Sequence, residues 1–114
     1  MLPSYNRLPS VEIPLLLRAG TRIRSRHIDL VYQKLPIQSR FAVVVSAKVD
    51  KRAAKRNRMK RLIREAIQQI LPLVKEHISG VFVVRSVLPD REDAVFPLVR
   101  DLLAEKQFIR GAYS

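Results

Sequence analysis

No cysteine occurs among the 114 residues, which excludes thiol catalysis, a cysteine-ligated metal and a disulfide framework. A cysteine-free chain suits a reducing compartment, and the expectation is a cytoplasmic protein. Glycine is almost as scarce, and three residues cannot make the glycine-rich loop that cradles a nucleotide phosphate. His27 and His77 are fifty positions apart and lack the carboxylate or cysteine clusters of metal sites. No serine sits in a nucleophile elbow. No apolar run approaches the length of a membrane span, and the start, MLPSYNRLPS, lacks the charged-then-apolar order of a signal peptide. Acids are few as well. Ten stand against 22 Lys and Arg, giving a net charge of +12. The only close acidic group, Asp90, Glu92 and Asp93, reads as helix capping and solvated charge. A chain this basic is expected to meet an acidic partner, and any catalysis it takes part in is expected to use reacting groups supplied by another molecule.

The charge is concentrated. Residues Lys48 to Arg64 hold nine bases and one acid in seventeen positions, an excess of eight out of the net twelve. From Met59 the apolar residues Leu62, Ile63, Ala66, Ile67, Ile70, Leu71 and Val74 follow the three-and-four spacing of one buried helical stripe. At about 100° per residue, Asn57, Arg61, Arg64 and Gln68 fall on the opposite side. Arg52, Lys55 and Arg56 share the sector of the stripe but precede it, and burying them there would be prohibitive. The helix is therefore expected to overhang the body, with Asp50 as its N-cap and its end near Val74. Cations in the first turns oppose the helix dipole and repel one another. The Glu-to-Lys pairs of an ordinary solvated face are absent before Glu65, and a polyanion would remove the conflict.

The length is a prior for one domain with a real core. Residues 1–9, with Pro3 and Pro9, read as an extended arm. Ser10 reads as the cap of a short helix over 10–19 that ends before Gly20, with Ile13, Leu16 and Leu17 on one face. From Arg26 the pattern alternates, Ile28, Leu30 and Tyr32 against His27, Asp29 and Gln33, which predicts a strand. Arg40 to Val49 predicts a second strand, apolar on one face and small and apolar in the middle of the other, as in mid-sheet. Val81 to Leu88 predicts another, interrupted by Arg85, which must emerge at an edge, form a salt bridge or meet a ligand. Asp90 to Asp93 opens a last helix with Pro97 in its first turn and Val95, Leu98, Val99, Leu102 and Leu103 buried. Residues 109–114 read as a frayed tail. The order predicts a single α+β domain spanning 1–114, with helices against a mixed sheet.

The segment SAKVDKRAAKRNRMKRLIRE, residues 46–65, preceded by an FAVVV strand, resembles the signature of the bacterial ribonuclease P protein component, with Arg56, Asn57 and Arg58 as its Arg-Asn-Arg motif. Weaker similarity includes Arg7-Leu8, Gly20-Thr21, Arg26 and Arg85. The resemblance implies an αβββαβα fold, with a left-handed crossover through the basic helix. It also implies that the protein is the accessory subunit of an endoribonuclease whose catalyst is RNA, so no protein catalytic residues are expected. Arg52, Lys55, Arg56, Asn57, Arg58, Lys60, Arg61 and Arg64 form the expected surface for the catalytic RNA. Ile13, Leu17, Tyr32, Lys48 and Arg85 form the expected cleft for the 5′ leader of precursor tRNA. Where the family commonly has aromatics on the first helix, this chain has Ile13 and Leu17, so leader binding is expected to be mainly electrostatic. The resemblance implies no cofactor bound by the protein alone, Mg2+ in the RNA of the holoenzyme, and neither a membrane nor a protein partner. Two rivals are a ribosomal or ribosome-assembly protein and a DNA-binding module. The second is weak, because the basic helix follows a strand directly rather than a short helix and turn.

Overall fold

The computed structural model describes residues 2–36 and 38–109. Its elements run α1 (Ile13–Ala19), β1 (Thr21–Ile23), β2 (Ile28–Lys34), β3 (Arg40–Val45), α2 (Ala53–Ile70), β4 (Ile78–Val84) and α3 (Glu92–Glu105), the expected αβββαβα order. The strands form one mixed sheet in the order β1-β2-β4-β3, antiparallel except for the parallel β3–β4 pair. The crossover between those parallel neighbours is α2.

Strand alternation sends side chains to two unlike faces. On one, Ile28 and Leu30 of β2, Phe41, Val43 and Val45 of β3, and Phe82 and Val84 of β4 pack against the apolar stripes of α2 and α3. The α2 stripe is Met59, Leu62, Ile63, Ala66, Ile67 and Ile70, as its periodicity predicts. On the other face the buried apolar residues, among those described, are only Leu8, Leu16, Val31 and Val81, with Ile13, Leu17, Ala42, Val44 and Val83 half-covered around them. Gly20 lets α1 lie close to this face. A Cβ there would stand 2.7 Å from the Leu16 carbonyl and 2.8 Å from a Val31 methyl.

Several expectations need correction. The strand from Arg40 stops at Val45, where its last partner is Val84. Ser46 to Val49 then form a turn, closed by the Val49 N–H donating to the Ser46 carbonyl at 3.0 Å. That strand lies at the sheet edge, not in the middle. Its second apolar face arises because Ala42 and Val44 pack against the cluster of Leu8, Leu16, Val31 and Val81, and the N-terminal segment caps its outer edge. Residues 2–9 are accordingly not a free extended arm. They contain a 3-10 turn (Ser4–Asn6), Leu2 and Leu8 are buried, and the Leu8 N–H donates to the Phe41 carbonyl at 2.8 Å. Asn6 is buried too, and its amide donates to the Ser39 carbonyl at 2.7 Å.

The later strand is Ile78–Val84 rather than 81–88. Ile78, Ser79 and Gly80 complete the register with Lys34, Gln33 and Tyr32, whereas Arg85 follows the strand's last residue, its N–H donating to the His27 carbonyl at 2.8 Å. Ser10 caps nothing, because a 3-10 turn (Ser10–Glu12) leads into α1 with Pro9 before it. α2 begins at Ala53 with Arg52 at the cap, and it gives way at Leu71 to a 3-10 turn containing Pro72, whose ring cannot donate the next helical bond. Pro97 lies inside α3, past its first turn. Of the tail, Phe108 and Ile109 are buried and Ile109 pairs with Val74. Residues 110–114 lie outside the described residues.

Candidate nucleic-acid interface

The first half of α2 stands beyond the core, as its charge requires. Arg52, Lys55, Asn57, Arg61 and Arg64 are exposed, and burial begins at Met59. Three of its arginines are engaged by the protein itself, which relieves the clash of cations with the helix N-terminus. Arg52 pairs with Asp50 at 3.0 Å, and Asp50 also accepts from the Arg52 backbone N–H at 2.9 Å. These bonds hold the Asp50 carboxyl below its ordinary pKa and raise that of Arg52. Asp50 therefore fastens the turn before the helix instead of capping it. Arg56 donates to the Asp50 and Lys51 carbonyls at 3.0 and 2.9 Å. Arg58 pairs with Asp90 at 2.7 Å. That hydrogen bond lowers the Asp90 pKa and raises that of Arg58.

Lys55, Lys60, Arg61 and Arg64 make no side-chain hydrogen bond or salt bridge among the described residues. With Asn57 they form an open cationic surface on a rigid helix. The motif residues Arg56, Asn57 and Arg58 are thus not equivalent: Asn57 is exposed, while the guanidiniums of the two arginines already bond groups of the protein.

The other expected cleft lies across the sheet. Ile13 and Leu17 border it, with Ala42, Val44 and Val83 as a half-covered apolar floor. Strand register places one rim. Ile23 faces Leu30, Ile28 faces Val84, and Val45 also faces Val84. The β1–β2 loop and the C-terminal ends of β3 and β4 therefore share one end of the sheet. Arg24, Arg26 and Arg85 stand there with Lys48, which lies in the exposed turn after β3. Tyr32 is not part of this cleft. It points to the opposite face and packs edge-on against Phe108, with ring centroids 4.9 Å apart, so this side of the sheet has no aromatic from β2. A groove of about 550 Å³ follows the β3 edge, from Ile13, Ala42 and Val44 to Lys60 and Arg64. It joins the cleft to the cationic helix.

The sequence reading missed one cluster. Asp29 is buried between Arg22, at 2.7 Å, and Arg85, at 2.9 Å. Arg85 thus resolves its choice by forming a salt bridge. The signal was diagonal. Arg22 faces Val31 and Asp29 faces Val83, so each arginine sits two residues from the position opposite Asp29, within reach of a long side chain. Finding it required recognising the three-residue strand β1.

An overhanging cationic helix and a half-open cleft on one mixed sheet define a small basic α+β domain. The chain belongs to the ribonuclease P protein family: the family model described as Ribonuclease P matches residues 4–104. It is 31% identical over 116 residues to the ribonuclease P protein component of Pseudanabaena sp., covering 97% of this chain and 99% of that one. Against the component of Synechococcus elongatus it is 31% identical over 120 residues, covering 96% and 97%. The fold matches the Staphylococcus aureus RNase P protein with a TM-score of 0.78 at 16% identity, covering 95% of this chain and 100% of that one. For the Thermotoga maritima RNase P protein the TM-score is 0.67 at 22% identity, with 88% and 93% covered. No described helix is long and apolar enough to cross a membrane.

Proposed function

We propose that this protein is the accessory subunit of a ribonuclease P holoenzyme, binding the catalytic RNA through the open face of α2 and the 5′ leader of precursor tRNA through the cleft beside α1. The observation that carries the reading is the set of unpaired bases on a helix held rigidly by its buried stripe, in a chain of this family. Such a helix can bridge phosphates that folded RNA brings close together and whose repulsion resists compaction. Asn57 offers a donor and an acceptor to a base edge or a 2′-hydroxyl. The cleft has a floor too small for stacking and a basic rim, which suits a single strand tracked by its phosphates with little sequence preference.

Catalysis belongs to the RNA in this account, and Mg2+ is held by RNA phosphates. Among the described residues no group of three or more histidine or acidic side chains is placed to hold a metal ion. The site of action is the cytoplasm, where precursor tRNA is processed. The family match points to ribonuclease P rather than to the ribosome.

The test is reconstitution. Purified protein alone should leave precursor tRNA intact at any Mg2+ concentration, and addition of ribonuclease P RNA should produce cleavage at the mature 5′ end. Cleavage by RNA-free protein, persisting after contaminating nucleases are removed, would overturn the assignment of catalysis to RNA. Failure of the protein to stimulate its RNA would overturn the accessory role.

A further inference from the structure

Asp29 is 1% exposed, and a carboxylate so far from water is tolerated only when its oxygens are bonded. One oxygen accepts from Arg22 Nη1 and the other from Arg85 Nε. A single negative charge therefore holds two positive ones, and the trio keeps a surplus charge of one. A bond made only to fasten β1 onto β2 would need one arginine. A second cation brought to the same carboxylate adds repulsion that an incoming anion would relieve.

The arrangement also leaves the right donors free. Side-chain exposure is 35% for Arg22 and 43% for Arg85. Among the described residues Arg22 spends only Nη1, and Arg85 turns Nη2 to the Ser25 and Arg26 carbonyls and keeps Nη1. Those carbonyl bonds, with the His27 carbonyl accepting from the Arg85 N–H at 2.8 Å, tie the β1–β2 loop to the end of β4. By strand alternation Arg22, Asp29 and Val83 share the face of the sheet that carries the cleft floor.

We propose that Asp29 is a positioning residue that holds Arg22 and Arg85 as a two-guanidinium fork for one phosphate of the single-stranded leader, at the β1 side of the cleft. The inference rests on the leader reading above and adds Arg22 and Asp29 to it. Two planar guanidiniums fixed on a common anchor lose little freedom on gripping a phosphate. They give the cleft a fixed point of attachment where neither Ile13 nor Leu17 can stack on a base.

The test uses holoenzyme reconstituted with ribonuclease P RNA, and compares the affinity for precursor tRNA carrying a leader of several nucleotides with that for mature tRNA across a salt series. Arg22→Gln should weaken precursor binding several-fold, flatten its log–log salt slope by about 0.7 for one single-strand phosphate that is no longer neutralised, and leave mature tRNA binding unchanged. Because it takes one partner from the buried Asp29, its unfolding midpoint should fall, and the comparison is made at a temperature where the variant stays folded. Asp29→Asn raises the local positive charge by one yet releases both arginines, so it should weaken the preference for precursor. Stronger precursor binding by Asp29→Asn would show that charge alone matters and overturn the positioning role. Should that variant fail to fold, Arg22→Gln decides alone. A wild-type holoenzyme that binds both tRNAs alike would overturn the leader reading and the fork together. A wild type that discriminates, with Arg22→Gln discriminating equally well, would overturn the fork and leave the leader reading standing.

Discussion

The two faces of the sheet are built to different standards of closure. Among the described residues, the core under α2 and α3 has a cluster of 24 buried apolar residues, against four on the side of α1. Both faces come from the same strands, so the difference lies in what covers them. α2 has 18 residues and α3 has 14, whereas α1 has seven and crosses only part of the sheet. The sealed face supplies the stability, and the open face keeps half-covered valines beside a basic rim. α2 serves both purposes, since its apolar stripe closes the core while Lys60, Arg61 and Arg64 make no side-chain hydrogen bond or salt bridge among the described residues.

Mutations that delete core volume should show the asymmetry most strongly. Phe82→Ala, at 0% exposure under both covering helices, is expected to cost about 3–5 kcal/mol, because a cavity enclosed on every side cannot collapse. Leu16→Ala, on the α1 side, is expected near the lower end of the range for leucine, about 2 kcal/mol, because its surroundings open to the cleft and can relax. Urea unfolding with unchanged m-values would measure both. Equal destabilisation would mean that the two faces are equally closed.

Replacing Lys60, Arg61 and Arg64 together by Ala should separate the two roles of α2. Exposed substitutions usually stay within about 0.5 kcal/mol each in stability, so unfolding should barely change. RNA binding should weaken greatly, and the salt slope should fall by about 0.7–0.9 for each phosphate no longer neutralised. An unfolded triple variant would show that the outward face is not free of the fold.

A smaller effect is expected at the pair of Arg58 and Asp90. Asp90→Asn removes an exposed partner and leaves Arg58 free, so RNA affinity should stay level or rise slightly. The hydrogen bond from Arg58 depresses the Asp90 pKa. Any stabilisation by the pair is therefore fully present above the ordinary carboxylate pKa and disappears only as pH falls through the depressed one. Denaturation midpoints between neutral pH and the carboxylate range should show no inflection from this pair, and one appearing near neutrality would contradict the assignment.

Legibility followed the same division. Periodicity alone gave the α2 stripe from Met59 to Ile70, because a long helix on a closed core repeats its signal many times. It also placed Asn57, Arg61 and Arg64 outward. Short or two-sided elements were harder. β1 is three residues long and carries too little alternation to read, and with it went the Arg22–Asp29–Arg85 cluster. β3 looked central because its small residues pack against a cluster that includes Leu8 and Leu16 and its edge meets Leu8, all far away in sequence. Tyr32 illustrates the limit of choosing a cleft residue for its aromatic ring: its register opposite Gly80 puts it against Phe108, on the sealed face. The boundary of α2 depended on Asp50, whose side chain bonds Arg52 instead of the helix turn that a cap would serve.

The central claim is that one RNA surface lies on the outward side of α2 and another on the open face of the sheet. Holoenzyme affinity for precursor tRNA as a function of leader length tests it most directly, with Lys48→Ala plus Arg85→Ala set against Arg61→Ala plus Arg64→Ala. The first pair should lose affinity only for substrates with a leader of several nucleotides, with a shallower salt slope for those substrates alone. The second should impair assembly with the catalytic RNA and affect every substrate alike. Identical profiles for the two double variants, or a leader contribution that survives high salt and ignores Lys48 and Arg85, would contradict the account.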